Sequence, residues 1–290
     1  MNAATHTDDA QFQYVEGQAR PAFSALLAGF QARSDALIQA VPCSLDMAYG
    51  PHERERFDFF PAQAPDGGLR GTLLYYHAGY WHLRDKSLFR FIAPAFTRRG
   101  LNVALVNYPL CPEVTVAELL ESARASIPAL LEHTAGLGQP KRPLIATGHS
   151  AGGQIAVEMA LSRGSAPGDG APAVDAVIGV SGVYDLLPLV GTTLNQSLRL
   201  DVASAVAVSP LRRELPRAHG RPMPALFIVG AAETPAFVDQ SRRMCEAWEA
   251  AGHPAQLFIA SGCDHFSVLA PFTSHDGALA QAIDALLGRL

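Results

Sequence analysis

The alternation of short apolar runs with helical patterns constrains the fold of this 290-residue chain more than any other feature. Six runs rich in Val, Ile, Leu and Phe are typical of buried strands: Gly71–Tyr76, Asn102–Asn107, Pro143–Thr147, Val174–Val180, Pro224–Val229 and Gln256–Ala260. The segments between and after them favour helices: Ser87–Arg99, Thr115–His133, Gly153–Ser162, Pro235–Ala251 and Gly277–Leu290. This pattern predicts an α/β fold, with a mostly parallel sheet and helices on both faces.

Two segments fall outside the alternation. Residues 10–40 have apolar side chains at helical spacing before the first predicted strand. The segment Asp185–His219 is long, lacks strong periodicity and lies between two predicted strands, as a small cap or lid insertion would. The Gly- and Pro-rich stretch Gly164–Pro172 indicates a surface loop rather than a linker. We therefore expect a single domain over residues 1–290.

Composition and charge exclude several classes of protein. The formal charge is −5, from 22 basic and 27 acidic residues, and no Lys or Arg block is present to bind nucleic acid. The N-terminal residues are polar and no apolar stretch approaches 18 residues, so we expect neither a secretory signal nor a membrane span, and a cytoplasmic location. Cys43, Cys111, Cys245 and Cys263 lack metal-ligand spacing, which predicts no metal and no cofactor. The oligomeric state stays open, with a homodimer among the alternatives.

The first motif that carries chemistry follows the predicted strand Pro143–Thr147. The chain reads Gly148-His149-Ser150-Ala151-Gly152 there, and a helical pattern comes next. G-x-S-x-G between a strand and a helix is typical of a nucleophile elbow, a tight turn that raises the serine hydroxyl above the sheet edge. The helix N-terminus below the serine favours developing negative charge. We therefore predict that Ser150 is a nucleophile.

A second motif, His77-Ala78-Gly79-Tyr80-Trp81, directly follows the predicted strand Gly71–Tyr76. In sheets that carry such an elbow, the loop at this place supplies a backbone N–H to an oxyanion hole. We assign the donors to Gly79 or Tyr80, with Ala151 as the other contributor, and expect His77 to brace the loop without transferring protons. Tyr80 and Trp81 could crowd the acyl side of a substrate and form an aromatic platform for its leaving group. Alternatively, both rings pack under the loop.

The base and the acid are expected after the last two predicted strands. A triad on an elbow-bearing sheet has the chain order Ser, Asp or Glu, then His. Glu233 and His265 each follow a predicted strand at its carboxyl end, where active-site groups collect. His265 would take the serine proton, and Glu233 would orient the imidazole. Three rival acids remain: Asp185, Asp239 and Asp264, whose side chain would point away from the adjacent His265.

Five segments together resemble one branch of the α/β-hydrolases. They are LDMAY with RFDFFP (Leu45–Tyr49 and Arg56–Pro61), HAGYW, YPLCPEVT (Tyr108–Thr115), GHSAGG, and ETPAFVDQ (Glu233–Gln240) with DHF. The chain is similar, from about residue 40 to its end, to the arylformamidase (kynurenine formamidase) and small carboxylesterase branch near the hormone-sensitive-lipase group. The resemblance implies Ser150, Glu233 and His265 as the triad. Ala78 departs from the Gly usual in that branch, and Glu233 from its usual Asp.

The function that these features predict is hydrolysis of a small ester or an aryl formamide through an acyl-serine intermediate. The substrate is then a small molecule. An alternative from a different class is a non-catalytic ligand-binding or interaction module, because the same fold also hosts such proteins. All three triad positions hold chemically competent residues, which favours the enzyme.

Overall fold

The computed structural model describes residues 9–20, 22–65, 67–162, 173–218 and 221–290, whose strands form one eight-stranded sheet. The strands are β1 (Ser44–Ala48), β2 (Arg56–Phe60), β3 (Gly71–Tyr76), β4 (Leu101–Val106), β5 (Leu144–His149), β6 (Ala176–Val180), β7 (Ala225–Gly230) and β8 (Ala255–Ala260). Their order is β1-β2-β4-β3-β5-β6-β7-β8, and every pairing from β4 to β8 is parallel. The six predicted strands are confirmed, with bounds that shift by one or two residues.

Helices cover both faces of this sheet. The α-helices are α1 (Ala10–Tyr14), α2 (Phe23–Ala40), α3 (Ala93–Thr97), α4 (Val116–Gly136), α5 (Ala151–Leu161), α6 (Asn195–Leu198), α7 (Val202–Ala207), α8 (Pro235–Ala250), α9 (Leu269–Phe272) and α10 (Ala278–Leu287). Short 3-10 helices span Glu16–Gln18, Lys86–Ile92, Leu187–Gly191 and Pro210–Arg212. Helices α4, α5 and α8 pack on one face, and α9 and α10 on the other. The predicted two-sided α/β architecture is confirmed.

The core consists of two apolar layers separated by the sheet. In β3, Leu74 and Tyr76 point into one layer while Leu73 and Tyr75 point into the other. All four side chains are completely buried, as expected for a strand covered on both faces. The strand carboxyl ends are thereby held in fixed positions, and the loops that follow them start from a rigid edge.

Strands β1 and β2 were not among the predicted strands, and both pair antiparallel. β1 is an irregular edge strand whose side chains are mostly exposed, so its sequence lacks an apolar pattern. β2 carries a buried carboxylate, Asp58, which forms ion pairs with Lys86 Nζ at 3.0 Å and Arg90 Nε at 2.7 Å. Because the partners that stabilise this charge lie far along the chain, the strand does not look apolar in isolation.

The prediction of an α-helix over Ser87–Arg99 is wrong for the first half of that segment. A 3-10 helix spans Lys86–Ile92 and the α-helix α3 begins only at Ala93. Pro94 explains the change, because proline has no N–H to donate to the preceding turn and is tolerated only at the start of an α-helix.

Helices α1 and α2 lie within the predicted N-terminal helical segment, and the segment from Asp185 onward forms four short helices between β6 and β7. That insertion is described as far as residue 218, and the predicted loop Gly164–Pro172 lies entirely within the undescribed residues 163–172. Within the described ranges, no helix is long and apolar enough to cross a membrane.

Candidate active site

Ser150 occupies a sharp turn between β5 and α5. Its backbone has φ 59° and ψ −121°, a left-handed conformation that a residue with a side chain rarely adopts. The N–H of Ser150 donates to the carbonyl of Val180 on β6, which ties the turn to the neighbouring strand. Helix α5 begins at the next residue, Ala151. The side chain is therefore held at the carboxyl edge of the sheet above a helix N-terminus.

The glycines on either side of this turn leave no room for side chains. A Cβ on Gly148 would collide with the carbonyl of Gly152, and a Cβ on Gly152 would collide with the carbonyl of Tyr76. Strands β3 and β5 thus approach the start of α5 so closely that both positions require glycine. The tightness expected of G-x-S-x-G is present in the structure.

The structure brings Glu233 and His265 together. Glu233 follows β7 and His265 follows β8, and Oε2 of the carboxylate lies 2.7 Å from Nδ1 of the imidazole. Both side chains are almost completely buried. The other carboxylate oxygen, Oε1, accepts hydrogen bonds from the backbone N–H of Gly230 at 2.7 Å and from Ser181 Oγ at 2.6 Å. These contacts fix the carboxylate and, through it, the orientation of the ring.

The three rival carboxylates are bound elsewhere. Asp264 pairs with Arg20 Nε at 2.9 Å and caps its own loop, so its side chain points away from His265. Asp185 forms a two-point ion pair with Arg212, at 2.8 Å for each contact. Asp239 lies on the surface of α8 beside Arg243. Of these four acids, Glu233 is the one in contact with the histidine.

Ser150 and His265 line one cavity of about 430 Å³ at the carboxyl edge of the sheet. No hydrogen bond joins Ser150 Oγ to His265 within the described residues. Hydrogen bonds between a nucleophile and its base are often long in a ligand-free site and shorten when substrate binds.

The loop after β3 forms another wall of the same cavity through Ala78, Gly79 and Tyr80. Gly79 has φ 143° and Tyr80 has φ 48°, so the loop curls back on itself, and Gly79 O accepts the N–H of Leu83 at 2.9 Å. In the described part of the chain, the backbone N–H groups of Gly79, Tyr80 and Ala151 make no hydrogen bond. They are available as donors beside Ser150.

A comparison with protein families agrees with three features of the chain. These are the alternation of strands and helices, the turn at Ser150 and the pairing of Glu233 with His265. Residues 73–269 match the family model described as alpha/beta hydrolase fold. The chain belongs to the α/β-hydrolase fold family. Its sheet order, its sharp turn at Ser150 and the positions of Glu233 and His265 after β7 and β8 are consistent with this membership.

Relatives within the α/β-hydrolases align over most of the chain, but their sequence identity to it is low. A kynurenine formamidase of Danio rerio is 27% identical over 252 residues, covering 84% of this chain and 82% of the relative. A solved protein of Silicibacter sp. TM1040, provisionally named a thioesterase, has 27% identity and a TM-score of 0.78, covering 96% and 97% of the two chains. An esterase of Pyrobaculum calidifontis, at 19% identity and a TM-score of 0.69, shares the fold over 97% of each chain.

The position of Trp81 differs from the prediction that its ring contacts the substrate of this α/β-hydrolase. Its side chain is completely buried, and its Nε1 donates to Gln154 Oε1 on α5 at 3.1 Å. The ring packs under the loop and does not line the cavity, so the prediction that Trp81 contacts substrate is wrong. Tyr80 does line the cavity, with its hydroxyl donating to the carbonyl of Tyr14. A burial difference between adjacent aromatics cannot be seen in their sequence.

Two buried histidines stabilise the loops around the site. His77 stacks on Tyr108, whose hydroxyl donates to the His77 carbonyl at 2.7 Å, and burial lowers the pKa of His77 to about 4. His149 Nε2 donates to the carbonyl of His265 at 2.6 Å, and burial holds its pKa well below the ordinary value. His77 therefore braces its loop as expected. His149, interpreted from sequence as a packing residue, also links the elbow to the loop of His265.

The N-terminal segment contributes more of the cavity wall than the predicted cap does. Gln18, Arg20 and Phe23 line the cavity, together with Val15 and Ala19, whereas Leu194 alone comes from the insertion after Asp185. The segment is fastened beside the site, since Gln18 Nε2 donates to Thr234 Oγ1 at 2.9 Å. Sequence analysis missed these residues because they precede the family resemblance.

Ser181 and Arg84 were also missed. Ser181 directly follows β6, so its position at a strand carboxyl end was a usable signal. Arg84 follows the loop of β3 in the run His82-Leu83-Arg84-Asp85-Lys86, in which nothing distinguishes it as a site residue. Among the described residues no group of three or more His, Cys, Asp or Glu side chains is placed to hold a metal ion, and the four cysteines are free thiols.

Proposed function

We propose that this α/β-hydrolase is a serine hydrolase that cleaves a small ester or an aryl formamide through an acyl-serine intermediate. The observation that carries the proposal is the 2.7 Å hydrogen bond between Glu233 Oε2 and His265 Nδ1 in the cavity that Ser150 also lines. A buried carboxylate on Nδ1 makes that nitrogen the protonated one and leaves Nε2 free to accept a proton.

The first half-reaction uses all three side chains. Ser150 Oγ attacks the carbonyl carbon while His265 Nε2 takes its proton, and Glu233 stabilises the imidazolium that results. His265 then donates this proton to the leaving oxygen or nitrogen as its bond to the acyl carbon breaks. The leaving alcohol or amine departs neutral, and the acyl group remains on Ser150.

Hydrolysis of the acyl-serine repeats these steps with water as the nucleophile. His265 takes one proton from the water, the new C–O bond forms, and the ester bond to Ser150 breaks as its oxygen regains the proton. The tetrahedral oxyanion of both steps is assigned to the N–H groups of Ala151 and of Gly79 or Tyr80, which are free of other partners in the described residues. The N-terminus of α5 adds a favourable field.

The choice of substrate is supported by the relatives. Their names include kynurenine formamidase and isoprenylcysteine alpha-carbonyl methylesterase, one acting on a formamide and the other on an ester. Both reactions require a carbonyl carbon open to attack and a leaving group that His265 can protonate. A formyl or similarly small acyl group, with an aryl amine or an alcohol as leaving group, fits this common chemistry.

Fluorophosphonate labelling followed by intact-mass analysis tests the mechanism. The wild type should gain one adduct and Ser150→Ala none, while Ser162→Ala, which alters the other end of α5, should label normally. Values of kcat/KM for p-nitrophenyl acetate and N-formylkynurenine then separate ester from formamide. Labelling or turnover that survives in Ser150→Ala would overturn the proposal. A wild type that neither labels nor turns over would favour the non-catalytic module.

A further inference from the structure

One charged side chain in the catalytic cavity has no counter-ion. Arg84 lines the cavity, and its guanidinium makes no hydrogen bond or ion pair within the described part of the chain. Nη1 is buried without a partner. The guanidinium carbon lies over a pair of touching aromatic rings, 5.1 Å from the centroid of Phe23 and 5.0 Å from that of Phe266. Burial also lowers the pKa of Arg84, although arginine remains charged.

The other charged groups of the cavity wall are already paired. Arg20 pairs with Asp264 at 2.9 Å, and the Glu233 carboxylate is bound by His265 behind the cavity wall. His82 lines the wall too, and burial lowers its pKa, which keeps it neutral near pH 7. Of the charged side chains that line the cavity in the described residues, Arg84 is therefore the one without a counter-ion in contact. Cation–π contacts offset part of the cost of burying it, but they do not supply the hydrogen bonds that a guanidinium makes in water.

We infer that Arg84 binds a carboxylate carried by the leaving group of the substrate. A guanidinium matches a carboxylate through two parallel N–H···O bonds, and partial shielding from solvent in the cavity strengthens the pairing. A single unpaired cation suits a monoanion, because a phosphomonoester would bring nearly two charges against one. This inference rests on the proposed serine hydrolase function and names its substrate class.

The position of Phe266 places Arg84 on the side of the cavity where the leaving group would bind. The leaving atom must lie beside His265, which returns the proton to it. Phe266 is the next residue and its ring centroid is 5.1 Å from that of His265, while Arg84 packs on the same ring. Arg84 is thus on the His265 side of the cavity. Gln18 Oε1, buried without a partner in another part of this wall, cannot bind a carboxylate and would accept only from an N–H or O–H donor elsewhere on the substrate.

Matched neutral and anionic esters test the inference. The substrates are 3- and 4-acetoxybenzoate and their methyl esters, compared by kcat/KM in the wild type and in Arg84→Gln. A lost charge-assisted hydrogen bond should lower kcat/KM about 10- to 100-fold for the carboxylates and less than about 3-fold for the methyl esters. Arg221→Gln removes an exposed arginine near the amino ends of β5 and β7, and should change both classes equally and slightly.

Comparing wild type and variant cancels the different reactivities of the two leaving groups. Equal losses on both ester classes in Arg84→Gln would overturn the inference and make Arg84 a structural brace. If that variant does not fold, competition on the wild type decides. Benzoate should inhibit methyl-ester hydrolysis at least about 10-fold more strongly than benzamide, and equal inhibition would overturn the inference. A wild type that hydrolyses none of these esters would instead count against the serine hydrolase proposal.

Discussion

The hydroxyl of Ser181 donates a hydrogen bond to Glu233 Oε1 at 2.6 Å, on the side of the carboxylate away from His265. Ser181 is completely buried and has a left-handed φ of 49°, and its own N–H is held by the carbonyl of Ile228 at 2.7 Å. The serine is therefore held by β7 while it restrains the carboxylate that orients the imidazole. We assign Ser181 as a positioning residue.

Ser181→Ala should lower kcat about 3- to 10-fold with little change in KM, because one hydrogen bond of ordinary strength to Glu233 is lost. The matched control is Ser209→Ala, another buried serine, which accepts the N–H of Leu186 at 2.7 Å away from Glu233. It should lower the melting temperature without lowering kcat. If the two variants lose kcat alike, Ser181 has only a structural role.

The acid limb of the kcat/KM profile should have a slope of one in log units. Burial lowers the pKa of His77 to about 4 and holds that of His149 well below its ordinary value, so neither histidine adds a protonation step near neutral pH. One group, the base His265, must then lose its proton for activity. Melting temperatures at each pH serve as control, since buried neutral histidines make stability fall as the pH drops below about 6.5. A slope near two would contradict this prediction.

Glu158 should make the protein less stable as the pH rises from about 4.5 to 8. Burial raises the pKa of this α5 carboxyl from 4.5 to about 7, although Arg213 and Arg124 oppose the shift. The unfolded chain therefore loses the proton at lower pH than the folded chain, and stability falls by up to about 3 kcal/mol. Glu158→Gln should flatten this dependence in urea unfolding. The exposed Glu132→Gln, on α4 and with no ion pair among the described residues, should leave this dependence unchanged.

The acyl side of the substrate should be small. Tyr80 lines the cavity and is held there by its hydrogen bond to the Tyr14 carbonyl. Among p-nitrophenyl esters, kcat/KM should peak at acetate or butyrate and fall steeply by octanoate. Tyr80→Phe, which loses that hydrogen bond, should reduce the difference in kcat/KM between the short-chain esters and octanoate. A wild-type preference for octanoate would indicate an open acyl groove. It would contradict the hypothesis that the enzyme acts on formamides.

Activity should survive exhaustive dialysis against EDTA, because the proposed triad completes the chemistry without a metal. The measurement is kcat/KM before and after dialysis, with a zinc-dependent esterase as positive control. Activity lost on dialysis and restored by zinc or manganese would contradict this expectation.

The sequence by itself determined the elements that depend on local pattern. Strands β3 to β7 were predictable because each is buried on both faces and therefore largely apolar. The edge strand β8 is only partly buried, but it still contains a short apolar run. The elbow at Ser150 was predictable because its glycines are required by a turn only a few residues long. Glu233 and His265 could be proposed because parallel strands end at the same edge, which places the loops after β7 and β8 side by side.

Only the tertiary structure decided which side chains meet across long separations. It paired Glu233 with His265 and directed Asp264 to Arg20, a choice that depends on loop geometry. It buried Trp81 and left its neighbour Tyr80 in the cavity wall. It also placed Phe23 against Arg84, 61 positions later in the chain, leaving a cation with aromatic neighbours and no anion. Such contacts arise from the packing of distant segments, and no local pattern encodes them.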